Sequence, residues 1–585
     1  MLSLERICFD VPNSGEDRRL LDNVTFRVPS GHFMAIVGPS GCGKSTLLKT
    51  IAGINAESEG NLYFDGRNLA EDNDFEATEI GYVPQFSIAF DELTVDEAVE
   101  AAARLRLQHA SRKKLDELLD RILAETGLLN IADSSVKILS GGQKRRLGLA
   151  MELVSSPKLL LCDEVTSGLD PNSEREIVHL LNDLARKEDR IVVSVTHSLS
   201  HMELYDSVLV IHEGRVVYHG PPSGLAHYFS VDSADKVYPA LAKQASERWQ
   251  SSWLKYANTY EHKLRAKSKT KTPEIKHTEK IERDPLEEEI EEEEETQGPR
   301  LPGILSQTLT LLSRRFRIFC RDRGQLILHL ALIIGFPILV SIFAPRANEQ
   351  TQRLSDQREE NIIEELGKQA QVQASELKVG SANSGIIMFQ VILLCLVASN
   401  NSAREISSER AILEKEKFGG LSPPAYLLSK ILFLTPLVLM QSLWMGIFVQ
   451  TFWEIQGSFL THLTFLVLVN AAMTSICLGI SSLARNAEQA SALSIYFVGF
   501  QLPLSGAVLA LPSIVEPFTR PFISAYWAWS GSISALDSGR FNAVKAVVET
   551  AFAEASTSQY FLLAHIVMGL TAALIGIQRP RWGNL

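Results

Sequence analysis

Six long apolar segments in the C-terminal half of the chain constrain its fold more than any other feature. We place them at about 325–344, 384–403, 427–452, 461–483, 489–511 and 560–578. Each is long enough to cross the ~30 Å hydrocarbon core of a bilayer as a helix. The sequence therefore predicts an all-α six-helix transmembrane domain over residues 325–585 and a multi-pass location in the cell membrane.

Basic residues beside these segments predict their orientation. A cluster between Arg314 and Arg323 lies in an amphipathic stretch, 303–324, which precedes the first segment, and Arg579 and Arg581 follow the last. Basic residues near membrane spans stay preferentially on the cytoplasmic side. With an even number of spans, both termini are expected in the cytoplasm.

The first 231 residues have the pattern of a soluble α/β domain. Short apolar runs of strand length, at Met34–Val37, Leu159–Cys162 and Ile191–Val195, alternate with helical stretches. Continuous apolar runs are typical of a parallel sheet that is buried on both faces. The formal net charge of −12 argues against nucleic acid as a partner.

Residues 232–302 separate the two regions and are rich in charge, with an acidic run from Glu287 to Glu295. Like charges repel and bury too little apolar surface to fold alone. We therefore expect a flexible linker here; a regulatory or docking element is the alternative.

A phosphate-binding pattern, G-x-x-x-x-G-K-S, follows the first of the predicted strands and precedes a helical stretch. Its glycines let backbone N–H groups surround phosphates, and the helix N-terminus adds partial positive charge. Lys44 would reach the β- and γ-phosphates, and Ser45 would ligate Mg²⁺. The sequence thus predicts a site for ATP and Mg²⁺, with nucleotide contacts from Gly38, Pro39, Ser40, Gly41, Cys42, Gly43, Lys44, Ser45 and Thr46.

Two carboxylates at the end of the apolar strand Leu159–Cys162 supply the matching chemistry. Asp163 is expected to hold Mg²⁺, and Glu164 to polarise the attacking water. Phosphoryl transfer needs mainly positioning and charge neutralisation, which one carboxylate at the metal and one at the water can provide.

The run Leu139–Gln143 (LSGGQ) resembles the signature of the ATP-binding cassette superfamily, and further elements match in order. Gln85 resembles the glutamine that senses Mg²⁺ and the membrane domain, Ser167–Asp170 the D-loop, and His197 the switch histidine at the γ-phosphate. The resemblance implies an α/β P-loop nucleotide-binding domain with catalytic Glu164, His197 and Gln85; nucleotide contacts from Ser140, Gly141, Gly142 and Gln143; and metal contacts from Ser45, Gln85 and Asp163.

In that superfamily the signature of one subunit closes over the ATP that the other subunit's P-loop holds. The resemblance therefore implies a dimer. Every motif is intact here, so we expect a second copy of the same chain, with a paralogous partner as the alternative.

The order of the domains, with the cassette first, resembles the G subfamily (the White-like, ABC-2 type branch). Residues Glu405–Lys430 resemble the loop of that group that carries a coupling helix, which would dock on the cassette near Gln85. By the same resemblance the fifth segment lines a central cavity, with candidate wall residues Phe497, Phe500 and Gln501 and an upper gate at Ala507 and Val508.

Two departures from the family pattern limit the resemblance. The outside loop 345–382 is long and polar, which points to a bacterial member with different outside partners. Val11 stands where relatives often have the aromatic residue that stacks on adenine, so no residue is assigned to that role.

The function that the resemblance implies is ATP-driven export by a dimeric half-transporter, with membrane lipids and an unidentified substrate as its other partners. A mechanotransmitter, which uses ATP to regulate an outside partner without moving a substrate, is the alternative. Six apolar segments exclude a soluble ATPase, and the fusion of both domains in one chain disfavours an importer.

Overall fold

The computed structural model describes residues 1–585 except 13–16, 70–74, 86–87, 109–110, 270–300, 343–361, 454–456, 509 and 581–585. The chain separates into two compact units. The first contains Met1–Ser306 together with Lys415–Leu421, and the second contains Gln307–Glu414 and Ser422–Leu585.

Two β-sheets form the framework of the first unit. One sheet is antiparallel, with the order β2-β1-β4-β5, and the other has the order β10-β9-β3-β8-β7-β6. The strands are β1 (Leu2–Val11), β2 (Arg18–Val28), β3 (Phe33–Val37), β4 (Glu59–Phe64), β5 (Arg67–Asn68), β6 (Ile80–Val83), β7 (Leu159–Asp163), β8 (Ile191–Val195), β9 (Ser207–His212) and β10 (Arg215–Gly220).

The second sheet carries the buried parallel strands that the apolar runs predict. β3, β7 and β8 are buried at every position, and β8 pairs in parallel with both β3 and β7. A strand that is covered on both faces has no solvent side that requires polar residues. The predicted α/β fold class is confirmed.

Helices pack against this sheet in the part of the first unit that ends at Lys269. They are α1 (Lys44–Ile51), α2 (Val95–Arg106), α3 (Arg112–Glu125), α4 (Gly141–Leu153), α5 (Pro171–Arg186), α6 (Leu225–Phe229), α7 (Val237–Leu241) and α8 (Ser246–Lys269).

Ordered structure continues past residue 231 into the predicted flexible linker, 232–302, which contains the helix α8; the domain boundaries stay a prediction. Tyr218 of β10 packs against Trp253 and Tyr260 of α8, with ring centroids 5.6 and 5.3 Å apart. Trp253 is only 5% exposed. Buried aromatic area, which a count of charges does not reveal, fixes α8 to the sheet. The acidic run Glu287–Glu295 lies outside the described residues.

The second unit is helical. Its helices are α9 (Ile304–Arg321), α10 (Arg323–Ser341), α11 (Ile362–Ser402), α12 (Arg410–Phe418), α13 (Pro423–Phe452), α14 (Phe459–Leu483), α15 (Ala487–Leu504), α16 (Glu516–Thr519), α17 (Ser524–Ile533), α18 (Ser538–Val547) and α19 (Ala555–Gln578). The residues of α12 from Lys415 onward belong to the first unit.

By length and composition, five helices in the described part of the chain could cross a membrane. The predicted fifth segment, 489–511, is not among them; the helix α15 is 18 residues long and ends at Leu504. Gly506, with φ +76°, adopts a left-handed backbone that does not continue a helix. The predicted six-span topology therefore stays a prediction.

Buried side chains from several of these helices form the core of the second unit. Trp529 and Phe465 are fully buried and belong to one apolar cluster. Two buried polar side chains of this unit pair with each other: Gln441 and Asn401 donate to each other's amide oxygens at 3.1 and 2.8 Å. Buried polar side chains that find such partners are tolerated within a membrane domain.

Candidate nucleotide-binding site

Four loops that carry the predicted site residues leave the same edge of the parallel sheet. The phosphate-binding loop follows β3, Gln85 follows β6, Glu164 follows β7, and His197 follows β8. These strands are neighbours in the order β3-β8-β7-β6. In an open parallel sheet, ligands bind beyond the carboxyl ends of the strands, so the topology gathers these residues in one place.

The phosphate-binding loop passes too close to other backbone for side chains at two of its glycines. A Cβ atom on Gly38 would lie 2.3 Å from the carbonyl oxygen of Ile211. Gly43 has φ +102°, and a Cβ atom there would lie 3.0 Å from the carbonyl oxygen of Leu20. Only glycine fits such a tight turn before α1 without strain.

Lys44 lies inside this loop and is only 4% exposed. Its Nζ donates to the carbonyl oxygens of Gly38 and Pro39, each at 3.0 Å. Burial lowers the pKa of Lys44, while the nearby acidic groups oppose that shift. The ammonium group is therefore held at the centre of the loop, where an anionic phosphate would relieve the cost of its burial.

Asp163 and Ser45 form the predicted metal side of the site. Ser45 Oγ donates to Asp163 Oδ1 at 2.8 Å, and the Tyr82 hydroxyl donates to Asp163 Oδ2 at 3.3 Å. Burial raises the pKa of Asp163. Carboxylate and hydroxyl oxygens are the ligands that Mg²⁺ prefers, so these two residues fit the ion. The metal role of Gln85 stays a prediction.

Glu164 is the centre of a short hydrogen-bonded chain. Gln85 Nε2 donates to Glu164 Oε2 at 2.9 Å, and His197 Nε2 lies 2.7 Å from Glu164 Oε1. Glu164 has φ +47°, an uncommon backbone for a residue with a side chain. The strained turn directs the carboxylate toward both partners, and the three predicted catalytic residues meet.

The signature residues are presented differently, at the N-terminus of α4. Ser140 and Gly141 are exposed. Ser140 and Gln143 form a reciprocal capping box: the Gln143 N–H donates to Ser140 Oγ at 3.3 Å, and the Ser140 N–H donates to Gln143 Oε1 at 2.9 Å. Those two side-chain contacts stay within α4 itself. The helix end thus keeps its partial positive charge facing outward.

A second cluster of charges lies elsewhere in the first unit, around the fully buried Glu152. Its carboxylate lies 2.9 Å from Arg106 Nη1 and 3.0 Å from Lys415 Nζ. Burial alone would raise the pKa of Glu152, but the two cations outweigh it and lower that pKa. Close by in sequence, the ring of Phe418 meets the ring of Tyr82 edge-on at 6.2 Å. Phe418 therefore contacts the strand that precedes Gln85; the coupling role of this loop stays a prediction.

Two carboxylates of that predicted loop, Glu405 and Glu409, have partners within the second unit. Arg315 donates to both oxygens of Glu405, at 2.6 and 2.8 Å. Lys430 donates to Glu405 at 3.0 Å and to Glu409 at 2.6 Å. Glu405 thus links α9 to α13, and Glu409 pairs with α13.

A cavity of about 980 Å³ lies in the second unit, with a largely apolar lining. It includes the predicted gate residues Ala507 and Val508, with Met388 and Phe389 of α11 and the exposed Glu549. The three predicted wall residues lie elsewhere. Gln501 is fully buried and accepts a hydrogen bond from the Ala525 N–H at 3.1 Å, which assigns it to helix packing.

Tyr82, Glu152 and Lys415 are functional candidates to which no sequence pattern assigned a role. Tyr82 stands inside the motif that contains Gln85, which could have signalled its place beside Asp163. Glu152 and Lys415 are 263 positions apart in the chain and pair only through the fold.

The fold and site define a P-loop ATPase of the cassette type, and comparisons with known proteins agree. The ABC transporter family matches residues 21–167, and the ABC-2 type transporter family matches residues 306–530. The ferric enterobactin transport ATP-binding protein FepC of Escherichia coli is 36% identical over 37% of this chain and 80% of its own length. The chain belongs to the ABC transporter family, with an ABC-2 type membrane domain after its ATPase domain.

Other relatives match different shares of the chain. The ABC transporter ATP-binding/permease protein Rv1747 of Mycobacterium tuberculosis is 27% identical over 89% of this chain, which spans about half (56%) of that protein. Protein scarlet of Drosophila melanogaster is 32% identical over 38% of this chain and 34% of its own length. Among solved structures, the dimeric cassette MJ0796 with ADP and Pi matches 38% of this chain and 99% of its own, with a TM-score of 0.35 and 28% identity.

Proposed function

We propose that this chain is an ATP-driven exporter that acts as a dimer. The proposal rests on one observation: a single chain contains both an ATP-hydrolysis site and helices long enough to cross a membrane. The hydrolysis residues Lys44, Asp163, Glu164 and His197 meet at one sheet edge, and the second unit contains helices able to cross a membrane.

The chemistry follows from the positions of the side chains. Lys44 and the N–H groups before α1 would bind the β- and γ-phosphates. Mg²⁺, held by Ser45 and Asp163, would neutralise charge that develops on the phosphates. Glu164 would accept a proton from the attacking water, and His197 and Gln85 keep its carboxylate in place.

The exposed end of α4 supports the dimer. Helix N-termini attract phosphates, and Ser140 satisfies part of this end within its own capping box. A second copy that offers its P-loop to this surface would complete two equivalent sites. The intact motifs favour two copies of the same chain over a pair of different chains.

The cavity in the second unit supports an amphiphilic or apolar substrate. Its lining is mostly aliphatic and aromatic, with the carboxylate of Glu549 as a polar group. Such a surface binds a hydrophobic body and can orient one polar end. Lipids and hydrophobic small molecules are the compounds to test first.

The test uses the purified full chain in nanodiscs and in sealed vesicles. ATP turnover is measured with and without a panel of lipids and amphiphiles, beside Glu164→Gln. The proposal predicts turnover that the substitution abolishes, and at least one compound that both stimulates turnover and moves across the vesicle membrane. Stimulation without movement of any compound would reject export.

The length of α11 favours a mechanotransmitter as the second candidate. It contains 41 residues, which at 1.5 Å per residue span roughly 60 Å, about twice the bilayer core. A helix that extends this far beyond a membrane could carry movement to an outside partner. ATP turnover without flux, together with nucleotide-dependent cross-linking at Glu376 or Lys378, would support this candidate.

A further inference from the structure

Tyr238 lies on the short helix α7, which comes after the last strand of the sheet in the chain. Its hydroxyl donates to the backbone carbonyl oxygen of His197 at 3.1 Å. Burial raises the pKa of Tyr238 to about 12. The hydroxyl is thus hydrogen-bonded to the backbone of the loop that carries His197.

The packing of α7 fixes the place of this hydroxyl. Val237 and Leu241, on either side of Tyr238, are fully buried. The indole N–H of Trp249 in α8 donates to the Leu241 carbonyl oxygen at 3.2 Å. Because its buried side chains and this hydrogen bond both hold α7 in place, Tyr238 can restrain the loop that it contacts.

The loop that carries His197 needs such a restraint, because His197 lies beyond the end of β8. Thr196 still bonds to the sheet, its N–H donating to the Ile36 carbonyl oxygen at 3.0 Å. The side chain of His197 is 38% exposed, yet its Nε2 must stay 2.7 Å from Glu164. A shift of its backbone would move the imidazole off the carboxylate.

We propose that Tyr238 is a positioning residue for ATP hydrolysis: its hydroxyl holds the backbone of His197 so that the imidazole stays on Glu164. Tyr238 touches neither nucleotide nor metal in this role. Its loss should therefore slow the chemical step and leave ATP affinity nearly unchanged, since the groups that bind phosphate remain in place.

Tyr238→Phe removes only the hydroxyl and keeps the ring. In the full chain in nanodiscs, we expect kcat to fall about 3- to 10-fold, the effect of one lost hydrogen bond, with KM for ATP within about twofold. Tyr218→Phe is the matched control, because its buried hydroxyl also donates to a backbone carbonyl at 2.7 Å, that of Pro221 rather than that of His197.

Two further readouts separate positioning from general stability. The thermal unfolding temperatures of the two variants should agree, and Tyr238→Phe should cost nothing more when it is added to His197→Ala. The proposal is wrong if kcat is unchanged, if KM rises instead, if Tyr218→Phe loses as much turnover, or if the loss adds fully to that of His197→Ala. Turnover of the unmodified chain, abolished by Glu164→Gln, confirms that hydrolysis is being measured.

Discussion

His197 Nε2 lies 2.7 Å from Oε1 of Glu164, so the predicted switch histidine and the predicted general base are in direct contact. Because the imidazole fixes the carboxylate, we expect His197→Ala to lower kcat about 100-fold, within the range of a lost acid–base partner. Binding of a fluorescent ATP analogue should stay near that of the unmodified chain. His179→Ala, at an exposed position of α5, is the control and should keep full turnover.

The ion pairs of Glu152 predict a large effect on stability. Lys415→Met leaves a fully buried carboxylate with Arg106 as its remaining cation. Breaking a buried pair from one side costs about 3–5 kcal/mol, so the thermal unfolding temperature should fall by several degrees. Lys113→Met, at a surface pair with 88% exposure of the lysine side chain, should change it little. Equal unfolding temperatures for the two variants would contradict a stabilising role for the ion pair between Glu152 and Lys415.

The carboxylate of Glu152 also predicts how the free energy of unfolding depends on pH. The pKa of Glu152 is lowered in the folded chain, so its stabilising effect is present above the ordinary carboxyl pKa of about 4.5 and is lost as the pH falls below it. Glu152→Gln removes the titrating group. The difference in unfolding free energy between the unmodified chain and this variant should therefore shrink from pH 7 toward pH 4. A difference that grows at acid pH would contradict the assignment.

The aromatic contacts of α8 predict that this helix is part of the folded first unit. Trp253→Ala removes a nearly buried indole that packs against Tyr218 and should destabilise the unit by about 3–5 kcal/mol. Tyr256→Ala, at a ring that is 54% exposed, should cost far less. Limited proteolysis at increasing temperature measures both. Cleavage within 246–260 at the same rate in all three chains would show that α8 is not held.

Sequence patterns predicted the parts of this fold that rest on local chemistry. The apolar runs at Met34–Val37, Leu159–Cys162 and Ile191–Val195 became adjacent buried strands because continuous apolar sequence has no solvent face to offer. The phosphate-binding loop and the carboxylates after β7 fell at one sheet edge for the same topological reason.

Contacts between distant parts of the chain escaped prediction. The charge count over 232–302 indicated a linker, but three aromatic residues outweighed it and fixed α8 on β10. The partner of Glu152 could not be read from sequence, because many lysines are equally plausible until the fold brings Lys415 to it. The early end of α15 at Leu504 shows the usual uncertainty of helix boundaries in apolar sequence.

The most direct test of the account is ATP hydrolysis by the purified chain alone, reconstituted in nanodiscs that hold either one or two copies. Two-copy discs should hydrolyse ATP, Glu164→Gln should abolish turnover while ATP binding persists, and one-copy discs should bind ATP without turnover. Turnover in one-copy discs, or none in two-copy discs of folded protein that binds ATP, would contradict the claim that two identical chains complete the site.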